Sequence, residues 1–163
     1  MKYIWLIFFV LNSNIINANN LTLTCSFEEV YKNGEVQNGF LLFTKNKLRY
    51  EYFDPKLFTI IFNKQWIVVD NEKKKIIPDV EQNLQILKEV NKYLQDFPNV
   101  PKKISVNDHE FIFEFSMNDQ FLKTITIKSN KVNMKVHFYE CESKLINNIY
   151  FSYDPVFKYN IQK

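Results

Sequence analysis

An α+β fold, a large antiparallel sheet with a single helix inserted midway, follows from three observations. Apolar and polar residues alternate with a period of two over several short runs on both sides of the chain's middle. Turn-forming pairs such as Asn33-Gly34, Asp54-Pro55 and Ser129-Asn130 separate those runs. Between the two sets of strands lies one segment whose apolar residues recur every three or four positions, the period of a helix face. With 163 residues and no internal repeat or linker, the chain is expected to form one domain behind a leader.

The leader is an expected export signal, residues 1–18. Lys2 supplies the charged start, Tyr3 to Leu11 an unbroken apolar run, and Ile16-Asn17-Ala18 a small residue for cleavage after Ala18. That run is about half of the ~20 residues a membrane anchor needs. The mature domain is then expected to be 19–163, and exported. Cleavage removes Lys2 and no acidic residue, so the formal charge falls from +3 to +2. Near-neutrality argues against dedicated nucleic-acid binding. The Lys73-Lys74-Lys75 run reads as a solvated turn rather than a docking site.

Leu21 to Val30 alternates and makes the first strand. Hairpins begin at Gly39. Leu48, Tyr50 and Tyr52 share one face, with Arg49, Glu51 and Phe53 on the other, and Asp54-Pro55 ends that strand because proline gives no N–H to a ladder. Leu57–Phe62 and Gln65–Asp70 flank Asn63-Lys64, a two-residue loop suited to a tight hairpin. Lys75 to Ile77 is a short further strand. Pro78 opens the helix, Asp79 suits its dipole, and Val80, Leu84, Leu87, Val90, Leu94 and Phe97 form one stripe that Ile86 and Tyr93 widen. Pro98 and Pro101 stop it. Phe111, Phe113 and Phe115, then Phe121, Ile125 and Ile127, then Val132, Met134, Val136 and Phe138 mark three more strands, and Ile149 to Tyr153 a last one.

Catalytic chemistry finds little support. His109 and His137 have no metal-ligand spacing, Asp108-His109 reads as a solvated turn, and His137 falls on the outer sheet face. With Gly34 and Gly39 the sole glycines, no phosphate-binding glycine loop is possible, and no nucleophile elbow or carboxylate pair occurs. The expectation is a protein that is not an enzyme, with no metal and no cofactor. Cys25 and Cys141, near opposite ends of the domain, are disulfide candidates in an exported chain; two separate buried thiols are the alternative. A composition 46% hydrophobic and 17% aromatic, with 16 Phe, admits two readings. One is a tightly packed core. The other is a curved sheet whose concave side, closed by the helix, holds an apolar ligand cavity.

Gly39-Phe40-Leu41-Leu42-Phe43, then Leu48-Arg49-Tyr50-Glu51-Tyr52, Asp54-Pro55 and the following hairpin resemble the signature region of LolA-type outer-membrane lipoprotein carriers. The mid-chain helix and Ile149-Tyr150-Phe151-Ser152-Tyr153-Asp154-Pro155 fall where such carriers have a lid helix and a final Phe-rich strand. The resemblance spans most of the mature chain and rests on pattern rather than a strict motif. It implies an incomplete β-barrel covered by the helix, carrying lipoprotein acyl chains or lipid to the outer membrane. Leu48, Tyr50, Tyr52, Ile60 and Trp66 would line its cavity, and Leu84, Leu87, Val90 and Leu94 would be the inner stripe of the lid. An inner-membrane lipoprotein-releasing ABC transporter and an outer-membrane acceptor are the implied partners of a monomeric carrier. Two departures stand out. Thr44-Lys45 occupies the place of the family's basic-proline pair, whose basic residue helps latch the lid, and Arg49 matches a different arginine. Only Asn19 and Asn20 stand where a first helix is usual. A scaffold module of the cell envelope, with a filled core and a partner on a sheet edge, is the other expectation.

Overall fold

A computed structural model of the chain describes residues 22–78, 84–97, 99–116 and 121–153. The expected signal, the two asparagines after it, Leu21, Asp79, Val80, Pro98 and Asp154-Pro155 lie outside the described residues.

Ten antiparallel strands form one curved, unclosed sheet, with a single α-helix among the described residues. The strands are β1 (Thr22–Tyr31), β2 (Val36–Thr44), β3 (Lys47–Tyr52), β4 (Phe58–Asn63), β5 (Gln65–Asp70), β6 (Lys75–Ile76), β7 (Lys103–Val106), β8 (His109–Phe115), β9 (Leu122–Lys128) and β10 (Asn133–Lys144). The helix, α1 (Gln85–Leu94), lies between β6 and β7 in the chain. The spatial order β6-β5-β4-β3-β2-β1-β10-β9-β8-β7 consists of two meanders joined where β1 pairs with β10. The segment containing α1 therefore connects one free edge of the sheet to the other.

Alternation sorts each strand into two faces. Cys25, Phe27, Leu41, Leu48, Tyr50, Ile60 and Val68 stand on one face with Ile125, Ile127, Val136 and Phe138, and they form the main core with Leu84, Val90 and Leu94 of the helix segment. At the centre, Phe27 lies opposite Gly39, and a Cβ on Gly39 would meet the Glu51 carbonyl oxygen at 2.1 Å and the Phe27 ring at 2.4 Å. Only glycine leaves room for that ring. The opposite face carries a second, smaller apolar layer, with Leu42, Ile61, Val69 and Phe151 buried.

Cys25 and Cys141 are disulfide-bonded, 116 residues apart in sequence. A bulge explains how they meet. The β1–β10 register shifts between Thr24 and Ser26, and Glu140 adopts a positive φ of 51°. One extra residue in β10 restores the inward direction at Cys141, beside Cys25.

Several elements depart from the sequence expectations. Ile149–Tyr153 is not a strand. Asn148–Phe151 is a 3-10 turn, capped by the Asn147 side chain, which accepts from the Ile149 N–H. It packs on the outer face, where Arg49 Nη1 donates to the Tyr150 carbonyl at 3.2 Å and Asn63 Nδ2 to the Phe151 carbonyl at 3.3 Å. The helix stops at Leu94, three residues before Phe97, in turns accepted by Asn91, Tyr93 and Leu94 carbonyls. The β4–β5 reversal is centred on Lys64 (φ 68°), with Asn63 opposite Gln65, tighter than a two-residue loop. Strand β2 begins at Val36, before Gly39. Strand β7 was not expected, and its hairpin turns at Asn107-Asp108 because Asn107 accepts a positive φ of 54°. His109 thus opens β8 instead of lying in a solvated turn, its Nδ1 2.9 Å from Asp108.

Candidate functional site

A cavity of about 620 Å³ opens beside the main core, within the 300–1,000 Å³ range typical of small-molecule sites. The sheet contributes Leu41, Leu48, Phe58, Ile60 and Val68 from the first meander, and Ile125, Ile127, Met134, Val136 and Phe138 from the second. Leu84, Ile86, Leu87, Val90 and Leu94 of the helix segment line it as well. Among the described residues, four lining side chains carry polar atoms: Glu29, Tyr31, Tyr50 and Tyr52.

Those four form one cluster. Glu29 points to the inner face because it continues the β1 alternation of Cys25 and Phe27, and it is only 3% exposed. Tyr50 donates to Glu29 Oε1 at 2.6 Å, and Tyr31 donates to Oε2 at 2.6 Å. The Tyr52 hydroxyl lies 3.0 Å from Oε1 and 2.9 Å from Oε2. Three phenols thus offset the desolvation of a buried carboxylate, a geometry in which hydrogen bonds to a charged acceptor are strong. None of the ion pairs among the described residues includes Glu29. Burial first, and the neighbouring Glu29 second, hold the Tyr50 and Tyr52 phenols well above their ordinary value of 10.0. Burial and the hydrogen bond to Glu29 raise Tyr31 likewise.

The rings that carry the Tyr50 and Tyr52 hydroxyls pack against other aromatic rings. Phe27 stacks on Tyr50 with centroids 4.0 Å apart and meets Tyr52 edge-on at 5.6 Å. Tyr52 is edge-on to Tyr50 at 5.5 Å and to Phe58 at 5.1 Å. Edge-to-face contacts suit the ring quadrupoles and fix the hydroxyls in place.

Leu48, Tyr50, Tyr52, Ile60, Leu84, Leu87, Val90 and Leu94 all line this cavity. Trp66 does not reach it; its ring lies 4.8 Å from Phe62 on the same sheet face. Tyr50 and Tyr52, read from sequence as apolar lining, carry their polar ends to Glu29. Sequence reasoning missed Glu29 itself. The available signal was a lone acid at an inward position of an otherwise apolar stripe. Arg49 is on the outer face, its guanidinium paired with Glu51 and bonded to the C-terminal segment, away from the cavity. Lys45 is exposed in the β2–β3 turn. No group of three or more potential metal ligands occurs among the described residues.

No protein-family model matches the chain, and no curated protein matches it. The disulfide is of a kind that persists in oxidising compartments such as the periplasm. Among the described residues, no helix is long and apolar enough to cross a membrane.

Proposed function

We propose that the protein is a periplasmic carrier that shelters acyl chains of lipids or lipoproteins, a non-catalytic role like that of the LolA-type carriers its sequence resembles. In this reading α1 covers the concave face of the sheet and acts as a lid. An inner-membrane lipoprotein-releasing transporter would be the donor, and an outer-membrane component the acceptor. The observation that carries the reading is the 620 Å³ cavity whose apolar lining comes from both meanders and the helix segment. A scaffold with a filled core gives no account of that volume. Each methylene moved from water into such a lining contributes about 0.8 kcal/mol, so a few chain segments suffice for useful affinity.

The test has two parts. Mass spectrometry of organic extracts from the natively produced protein should find a co-purifying acyl species. The neutral fluorophore N-phenyl-1-naphthylamine should bind, and Leu87→Glu should weaken that binding by about tenfold or more, since a charge on the lining must be desolvated. Circular dichroism of the variant should be unchanged. An empty extract together with no fluorophore binding would defeat the proposal.

A further inference from the structure

The cavity is not uniformly apolar, and its polar end has a definite chemistry. A carboxylate, shielded from water and paired with no cation among the described residues, is held by the hydroxyls of three cavity-lining tyrosines. We infer that this end receives an ammonium group, so the cavity selects amphiphiles whose polar end is a protonated amine. The inference rests on the carrier reading and deepens it.

Three features of the cluster point the same way. A cation brought beside Glu29 supplies the counter-charge that a buried carboxylate otherwise lacks. The rings of Tyr31, Tyr50, Tyr52 and Phe58 line the cavity beside Glu29 and supply the negative quadrupole that attracts an ammonium within about 6 Å, as aromatic side chains do around choline-like groups. The phenol oxygens keep lone pairs after donating to Glu29 and can accept N–H bonds from the ligand. The same cluster rejects anionic ends. A fatty-acid carboxylate placed here would face Glu29, and two like charges in a dry site repel strongly. Neutral ends gain the burial of their chain and nothing more.

Two sources share this chemistry: a lipid with an amine headgroup, and an acylated polypeptide with a free amino terminus. Binding of dodecylammonium, dodecanol and dodecanoate at neutral pH, each below its micellar concentration, measures the selectivity directly by calorimetry. The wild-type protein should bind dodecylammonium about tenfold more tightly than dodecanol or better, with dodecanoate weakest. Glu29→Gln should remove that preference, so that dodecylammonium binds no more tightly than dodecanol to the variant. A lysolipid with an ethanolamine headgroup and a diacylated peptide with a free amino terminus, each compared with its N-acetylated form, separate the sources; the true one loses affinity on acetylation. Equal binding of the three dodecyl compounds by the wild type overturns the inference alone, whether or not Glu29→Gln folds. So does acetylation that weakens neither ligand, or a preference that survives in a folded Glu29→Gln. If none of the three chains binds, the carrier reading fails and takes this inference with it.

Discussion

A methyl group on Gly39 would clash with both the Glu51 carbonyl and the Phe27 ring, and Phe27 is fully buried in the core. Gly39→Ala should therefore lower stability by about 1–3 kcal/mol, the usual cost of overpacking, as read from the shift of the urea midpoint. The three phenols on Glu29 make a second prediction at this scale. Their folded-state pKa values are raised above the ordinary 10.0, so the folded protein holds protons that the unfolded chain has released above that pH. The stabilisation is fully present below pH 10 and is lost as pH rises beyond it. Absorbance at 295 nm should show these phenols ionising only together with loss of the near-ultraviolet circular dichroism. Alternation was enough to put Leu48, Tyr50 and Tyr52 on one face of a strand, whereas their place in a cavity wall came from the resemblance to the carriers. The polarity of that wall was not readable, because a tyrosine at an inward position has the same pattern whether its hydroxyl meets a carboxylate or water.

Short apolar segments near the end of the chain show where pattern reading fails among elements. Ile149-Tyr150-Phe151 has the composition of a strand, yet it buries Phe151 as a 3-10 turn, because Asn147 caps it and Arg49 and Asn63 capture its carbonyls. The Asn147 cap is local, but Arg49 and Asn63 lie 101 and 88 residues from the carbonyls they hold, so no local window contains that part of the reason. Strand β7 was hidden differently: Lys103-Ile104-Ser105-Val106 alternates, but it is four residues long and follows Pro101. Of the longer strands, β1 lay within a residue of its expected bounds, whereas β2 began before Gly39 and β10 ran on to Lys144, past the alternation that was expected to end at Phe138. The C-terminal turn also gives a test. Arg49→Ala removes a buried guanidinium that bonds both Glu51 and the Tyr150 carbonyl. Limited proteolysis should then cut around Asn147–Ser152 several-fold faster, while cavity ligands bind as before.

Across the whole molecule, two meanders of adjacent strands meet at one non-local ladder, β1 against β10, and the disulfide bridges that ladder. Closing a loop of 116 residues is worth about 4–5 kcal/mol on the chain-entropy account. Replacing both cysteines with alanine should lower the unfolding free energy by up to that amount without changing ligand preference. The sheet class could be inferred from sequence because each meander is local. The strand order could not, since nothing in the alternation of β1 says that its second neighbour comes from the far end of the chain. That order has a consequence for the sequence of events in folding. In a chain that folds under oxidising conditions, Cys25 has no partner until Cys141 is brought beside it. The first meander can assemble from neighbouring segments, but its leading strand keeps one side unpaired until the last strand arrives. Thiol trapping during refolding should find the bond forming in step with β1–β10 pairing, so oxidation marks the moment at which the two halves become one sheet.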